Sequence, residues 1–204
     1  SMSLFTQPYH DAVAQLTGPG APFEVINCSI EGLSLKAFSQ AHSSLSDYLN
    51  GGRQHGDKLL LQYQESTWSF KEFYTAADRL SHWLVTEGNI TAGTPVAIAM
   101  RNRPEWLIAF VAIINVGGIA VPLNSWGKSA ELEQGLEDSH AALLICDAPR
   151  WKYVQESNRI VSALIVDGDA SGPQQPDFHD VIRANWTGSI TPPAIDAQSP
   201  AILL

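Results

Sequence analysis

Thirty residues, PVAIAMRNRPEWLIAFVAIINVGGIAVPLN from Pro95 to Asn124, constrain the fold more tightly than any other part of this chain. The apolar run Val96 to Met100 predicts a buried strand. Arg101-Asn102-Arg103 interrupts it, and Pro104 then falls in the first turn of a predicted helix, where its missing N–H is least costly. Asn102 is the candidate cap, and Glu105 lies near the positive end of the helix dipole. Trp106 to Val116 is apolar almost all round, which predicts a core helix. Gly117-Gly118 can take the left-handed conformation that ends it, and Ile119 to Leu123 predicts a second buried strand. Strand, helix and strand within about 30 residues have the size of a right-handed βαβ unit, and hence of a parallel sheet. Trp106 to Leu123 is also about long enough to span a bilayer. Asn115, the glycine pair and Pro122 interrupt that run, so an α/β core is the expectation.

The rest of the chain continues this pattern. Leu45 to Leu49 predicts a helix ending at Gly51-Gly52, and Leu59 to Tyr63 a strand. Ser69 followed by Glu72 is a capping box, in which each side chain satisfies a backbone N–H of the other residue. Phe73, Ala76, Ala77, Leu80, Trp83 and Leu84 recur at helical spacing until Gly88. Ser129 opens another helix, with Glu131 and Glu133 near its start. Ala141 to Cys146 predicts a strand, Trp151 to Ile160 a helix, Leu164 to Asp167 a strand and Phe178 to Ala184 a short helix. Gly168 to Pro176 reads as a loop, and Ala201 as the start of a further buried strand.

Residues 1–2 read as a cloning remnant, and residues 3–41 as an N-terminal extension. In that extension Tyr9 to Leu16 is amphipathic, Gly18 to Pro22 is punctuation, and Phe23, Val25 and Ile30 ahead of Gly32 predict a hairpin. Residues 42–204 form the α/β part. The apolar run at Leu204 leads to the expectation that the chain is a piece of a longer protein.

RNRPEW, an apolar helix and GGIAVPLN, in that order, resemble the N-terminal part of the AMP-forming acyl-CoA synthetases and their relatives, the adenylate-forming ligases. Those proteins carry an N-x-P-E-W helix start and an A-G-x-x-x-P-L-N strand. Thr67 to Phe73, TWSFKEF, is similar to the family's T-[WY]-S-[EF]-x-E-[LF] helix entry. PLNSWGKSAELEQGLEDSHAALLICD is similar to its P-L-N … E-L-x-x-x-L-x-D-S-x-A-x-x-L-[IV]-x-D run. The resemblance extends from about Leu45 onward and is densest between Thr67 and Asp147, while GPGAPFE resembles a subset of long-chain acyl-CoA synthetases. It implies a largely parallel sheet with helices on both faces, the first subdomain of a ligase. It further implies a parent enzyme that uses ATP and Mg to turn a carboxylic, by first choice fatty, acid into an acyl-adenylate and transfers the acyl group to CoA. Two alternatives stay open: an adenylation domain that loads a carrier protein, and a standalone α/β binding or scaffolding module without catalysis.

The totals exclude other classes. A net charge of −9 argues against a nucleic-acid surface, and the 12 Lys and Arg are too scattered for a polybasic membrane patch. Cys28 and Cys146 lie far apart, without CxxC or Cys/His spacing, and read as free thiols in a reducing, cytoplasmic setting. No glycine fingerprint of a nicotinamide dehydrogenase follows any predicted strand, and no G-x-S-x-G elbow occurs. The six His are dispersed, and His42 with Ser43, Ser44 and Ser46 reads as a polar helix start. Gly51-Gly52 and Gly117-Gly118 read as turn glycines rather than a phosphate loop.

Asp147 and Asp167 follow predicted parallel strands, at the end where α/β sheets bind ligands, and serve either there or as loop and cap residues. Trp106 and Trp126 either line a tunnel for an acyl chain or pantetheine arm or are core and lid residues. The resemblance places the phosphate loop, the metal site and the catalytic lysine beyond Leu204. No catalytic, cofactor-binding or metal-ligating residue is therefore expected in this chain, and a homodimer through an exposed edge or a truncated face is a further expectation.

Overall fold

A computed structural model describes residues 6–157, 161–168, 175–188, 190–191 and 193–204. The chain divides into two units, the residues up to Ser43 and Ser44–Leu204. In the first, helix α1 (Thr6–Thr17) precedes an antiparallel hairpin of β1 (Val25–Ile30) and β2 (Leu33–Phe38). Glu31 and Gly32 form its turn, both at positive φ (50° and 82°), as a two-residue loop needs in order to follow the strand twist.

In the second unit, β3 (Leu59–Tyr63) and β4 (Ser66–Ser69) form a hairpin that runs directly into α3 (Phe70–Thr86). The expected capping box is present: Ser69 Oγ accepts from the Glu72 amide at 3.1 Å, and Glu72 accepts from the Ser69 amide at 2.8 Å. The central unit follows as β5 (Pro95–Ala99), α4 (Pro104–Asn115) and β6 (Ile119–Pro122), then α5 (Ser129–Ser139), β7 (Leu143–Asp147), α6 (Ala148–Glu156), β8 (Ala163–Val166) and α7 (Phe178–Arg183). The four strands β6-β5-β7-β8 form one parallel sheet.

Alternation along the strands separates two apolar layers. Val96, Ile98, Leu143, Ile145, Leu164 and Val166 meet α3, α4 and α7 on one face. Ala97, Ala99, Leu144, Cys146 and Ile165 meet Leu132 and Leu136 of α5 and Val154 of α6 on the other. Helices thus cover both faces, which is why the strands read as unbroken apolar runs.

α4 ends where its glycines predict. Gly117, at φ 74°, donates to the Ile114 carbonyl, and Gly118 donates to the Ile113 carbonyl, which is the Schellman arrangement. At 12 residues α4 is short, and no helix among the described residues is long and apolar enough to cross a membrane.

Other expectations need correction. Arg103, not Asn102, stands at the cap position of α4, and it makes no side-chain cap bond. Its guanidinium instead holds Glu105 in the first turn. α2 (Leu45–Asn50) does end at Gly51, as expected, but Gly51 stays right-handed and leads into a 3-10 turn, Gly51–His55. Gly52 is demanded by packing, since a Cβ there would lie 2.5 Å from the Tyr74 hydroxyl. α6 begins at Ala148 rather than Trp151, because Asp147 caps it and Pro149 sits in its first turn. Of its predicted end, residues 158–160 lie outside the described residues, as do residues 1–2 and most of the predicted loop at 168–176. The predicted strand at Ala201 is a single parallel bridge from Ile202 to Ala120; Ala201 is half-buried against the core, and Ile202 to Leu204 are exposed.

Candidate functional site

Parallel strands in register bring their carboxyl ends to one edge of the sheet. The chain leaves β5 for β6 on one side and returns for β7 on the other, so a crevice opens between the β5 and β7 exits, the place where such sheets bind ligands. A cavity of about 400 Å³ lies there, walled by Tyr63, Arg101, Arg103, Asp147, Arg150 and Asp167 among others.

Two ion clusters stand in that wall. In the first, Asp147 at the end of β7 accepts from the Arg150 amide at 3.3 Å and pairs with the Arg150 guanidinium at 3.3 Å, both side chains buried. Its other oxygen accepts from the Arg101 amide at 3.2 Å, and Arg150 Nε donates to the Ser125 carbonyl at 2.9 Å. One carboxylate and one guanidinium therefore tie together the exits of β5, β6 and β7.

In the second cluster, Arg103 donates through Nε to Glu105 at 2.7 Å and through Nη2 to Asp167 at 2.8 Å. His179 Nε2 lies 3.2 Å from Asp167 and 3.4 Å from Glu105. Burial alone would lower the Arg103 pKa, but its bonds to Glu105 and Asp167 outweigh this and the net shift is upward. For Asp167 burial acts upward, yet the bond and charge of Arg103, with a smaller contribution from His179, hold the carboxyl below its ordinary value. Asp167 itself sits at φ 55°, turned back towards this cluster.

Both aspartates singled out in the sequence thus meet the crevice, Asp147 as a helix cap and Asp167 as a partner for Arg103. The two tryptophans do not share a cavity. Trp126 is 74% exposed, with the Arg101 guanidinium 3.8 Å above its ring. Trp106 stacks on Phe110 and walls an apolar cavity of about 270 Å³ together with Leu61, Pro104 and Leu107.

The sequence does not single out Arg103, Glu105, Arg150 or His179 as site residues. The available signal was weak: Arg103-x-Glu105 and Asp147-x-x-Arg150 each follow an apolar strand, but His179 enters only through the packing of α7. Ser44 caps α2 by accepting from the Asp47 amide at 3.0 Å, and Cys146 is buried, which pushes its thiol pKa up. Among the described residues no group of three or more His, Cys, Asp or Glu could hold a metal ion.

The parallel sheet, its two helical layers and the switch-point crevice define the α/β architecture of the front subdomain of adenylate-forming ligases. The N-terminal subdomain of Klebsiella oxytoca NpsA, solved with 3-hydroxybenzoyl-AMSN, shares this fold: TM-score 0.64 at 20% identity, over 79% of this chain and 37% of that one. Residues 50–204 match the AMP-binding enzyme family, and the chain belongs to it. A linear gramicidin synthase of Brevibacillus parabrevis is 28% identical over 117 residues, 57% of this chain and 2% of that protein. The very long-chain fatty acid transport protein of Saccharomyces cerevisiae is 26% identical over 143 residues, 65% of this chain and 21% of that protein. The chain spans only a small part of either relative.

The family implies ATP and Mg, but the crevice residues do not fit a triphosphate. The Arg103 and Arg150 guanidiniums are already neutralised by Glu105, Asp167 and Asp147 at 2.7–3.3 Å. The first-turn amide of Arg150 in α6, which could meet an anion, is taken by Asp147. No step through the nucleotide is assigned to these residues. What the arrangement does is clamp three strand exits in one geometry.

Proposed function

We propose that the chain is the first subdomain of an enzyme that activates a carboxylic acid with Mg-ATP. The observation that carries this reading is the family match across residues 50–204 on a parallel α/β sheet. In the reaction a carboxylate oxygen bonds to the α-phosphorus while the bond to pyrophosphate breaks, leaving an acyl-adenylate; a thiol then takes the acyl group and releases AMP. The phosphate-binding and catalytic groups come from outside these residues, and the clamped crevice serves as the rigid floor against which they act. The acid is a fatty acid, the thiol is that of CoA, and the enzyme works in the cytoplasm. The likeness to the yeast very long-chain fatty acid transport protein and the GPGAPFE segment support that choice.

A second reading, in which the acyl group passes to a carrier protein, is favoured by the match to the linear gramicidin synthase. ATP–pyrophosphate exchange by the whole gene product tests the class. Exchange driven by fatty acids, followed by thioester formation with CoA, supports the first reading. Exchange driven by amino acids, with loading of a carrier domain, supports the second, and no exchange with any acid rejects both.

A further inference from the structure

An arginine without a carboxylate beside it runs against the composition of this chain, in which 21 Asp and Glu outnumber 12 Lys and Arg. Arg53, Arg103 and Arg150 each pair with a carboxylate at 3.3 Å or less. Among the described residues Arg79, Arg101 and Arg183 have no such partner. Arg101 lies over the Trp126 ring. The other two share one cavity of about 710 Å³, bounded by β4, the start of α3, the first turn of α4 and α7.

Lys71, Thr75 and Arg79 recur at four-residue spacing along α3, so they share one face of it, and all three line the cavity. Arg183 comes from the last turn of α7. Arg79 is half-buried and donates from Nη1 to the Ile182 carbonyl at 3.0 Å and from Nη2 to Asn185 Oδ1 at 3.2 Å. Both acceptors are neutral, so they fix the guanidinium without quenching its charge, and its remaining N–H groups are left to meet a ligand. The carboxylates of the same wall are committed elsewhere. Glu72 closes the capping box, Glu105 holds Arg103 and His179, and Asp57 lies 3.8 Å from Lys71. The planar fork of a guanidinium matches the oxygens of a phosphate, and two unneutralised guanidiniums match the charge of its dianion. Trp68, half-buried in this wall, offers an apolar surface to an organic group carried by that phosphate.

We propose that this cavity binds a phosphate dianion, free or as a phosphomonoester, held by Arg79 and Arg183. The site is separate from the nucleotide-binding groups that the resemblance places beyond Leu204. Ile202 bridges to β6, whereas α7 follows β8 at the opposite edge of the sheet. The inference does not rest on the ligase reading.

Calorimetric titration of the 204-residue chain with inorganic phosphate and with phenyl phosphate, at fixed ionic strength, tests it. Saturable binding is expected, and Arg183→Gln is expected to weaken it about tenfold. Arg183 is exposed and has no side-chain partner among the described residues, so this variant keeps the fold, which circular dichroism checks. Arg79→Gln is expected to abolish binding. Lys152→Gln, at an exposed position of α6 outside the cavity, is expected to leave it unchanged. Tighter binding of phenyl phosphate than of inorganic phosphate marks an organic ester, with its ring on Trp68, as the ligand; equal binding marks free phosphate. The proposal is overturned if neither compound binds, if Arg183→Gln binds as the parent chain does, or if Lys152→Gln weakens binding as much as Arg183→Gln does.

Discussion

Asp147 carries three duties with one carboxylate: it ends β7, caps α6 and neutralises Arg150. A buried pair contributes little net stability while both partners are present, but losing one strands the other, typically at a cost of about 3–5 kcal/mol. Arg150 keeps its bond to the Ser125 carbonyl, so Asp147→Ala is expected to cost about 3 kcal/mol in urea unfolding. Asp167 makes a pH prediction. Its folded pKa lies below the ordinary value of 3.8, so its stabilising contribution is fully present above that value. It is lost as the pH falls through the folded value. The stability difference between the parent chain and Asp167→Asn should therefore shrink in the acid limb, as the pH falls through the folded value of Asp167. A difference that persists there would place the effect in packing instead of ionisation.

The elements owe their limits to a few local devices. Gly117 is held at φ 74°, and a Cβ there would meet the Pro193 side chain at 3.1 Å and Ala92 at 3.2 Å. Gly117→Ala is expected to cost about 2 kcal/mol, from left-handed strain of about 1–2 kcal/mol and crowding on top. Gly118→Ala escapes the left-handed strain, but its Cβ would meet Ile113 Cγ2 at 3.0 Å and the Ile113 and Thr94 carbonyls at 3.2 and 3.3 Å, so it is also expected to lower the thermal midpoint, through crowding alone. Ser69→Ala removes the cap of α3 and should cost about 1 kcal/mol. These devices were legible in advance because each depends on neighbours in sequence. The wrong cap for α4 shows the limit. Asn102 is the better capping residue by type, but the ionic partners of Arg103 decided the geometry, and Asp167 lies 64 positions away.

Across the whole molecule, the sheet is covered on both faces, and among the described residues its outer strands carry only single bridges, Ile202 on β6 and Asp177 on β8. Ile202 and Leu203 are 45% and 43% exposed beside β6. A parallel edge with apolar side chains invites pairing with another chain. Sedimentation of the 204-residue chain is expected to show concentration-dependent association that Ile202→Lys reduces, and a concentration-independent monomer would refute this. The sequence by itself determined the βαβ frame, the order of its elements, the capping box and the glycine stop, because periodicity and caps act over a few residues. Family membership was legible for a similar reason, through short motifs in a set order. Only the tertiary structure decided which side of β5 receives β7, and hence where the crevice opens. It alone joined Arg103, Glu105, Asp167 and His179. Those groups lie as many as 76 positions apart, and their meeting follows from strand order and helix packing, which no local pattern encodes.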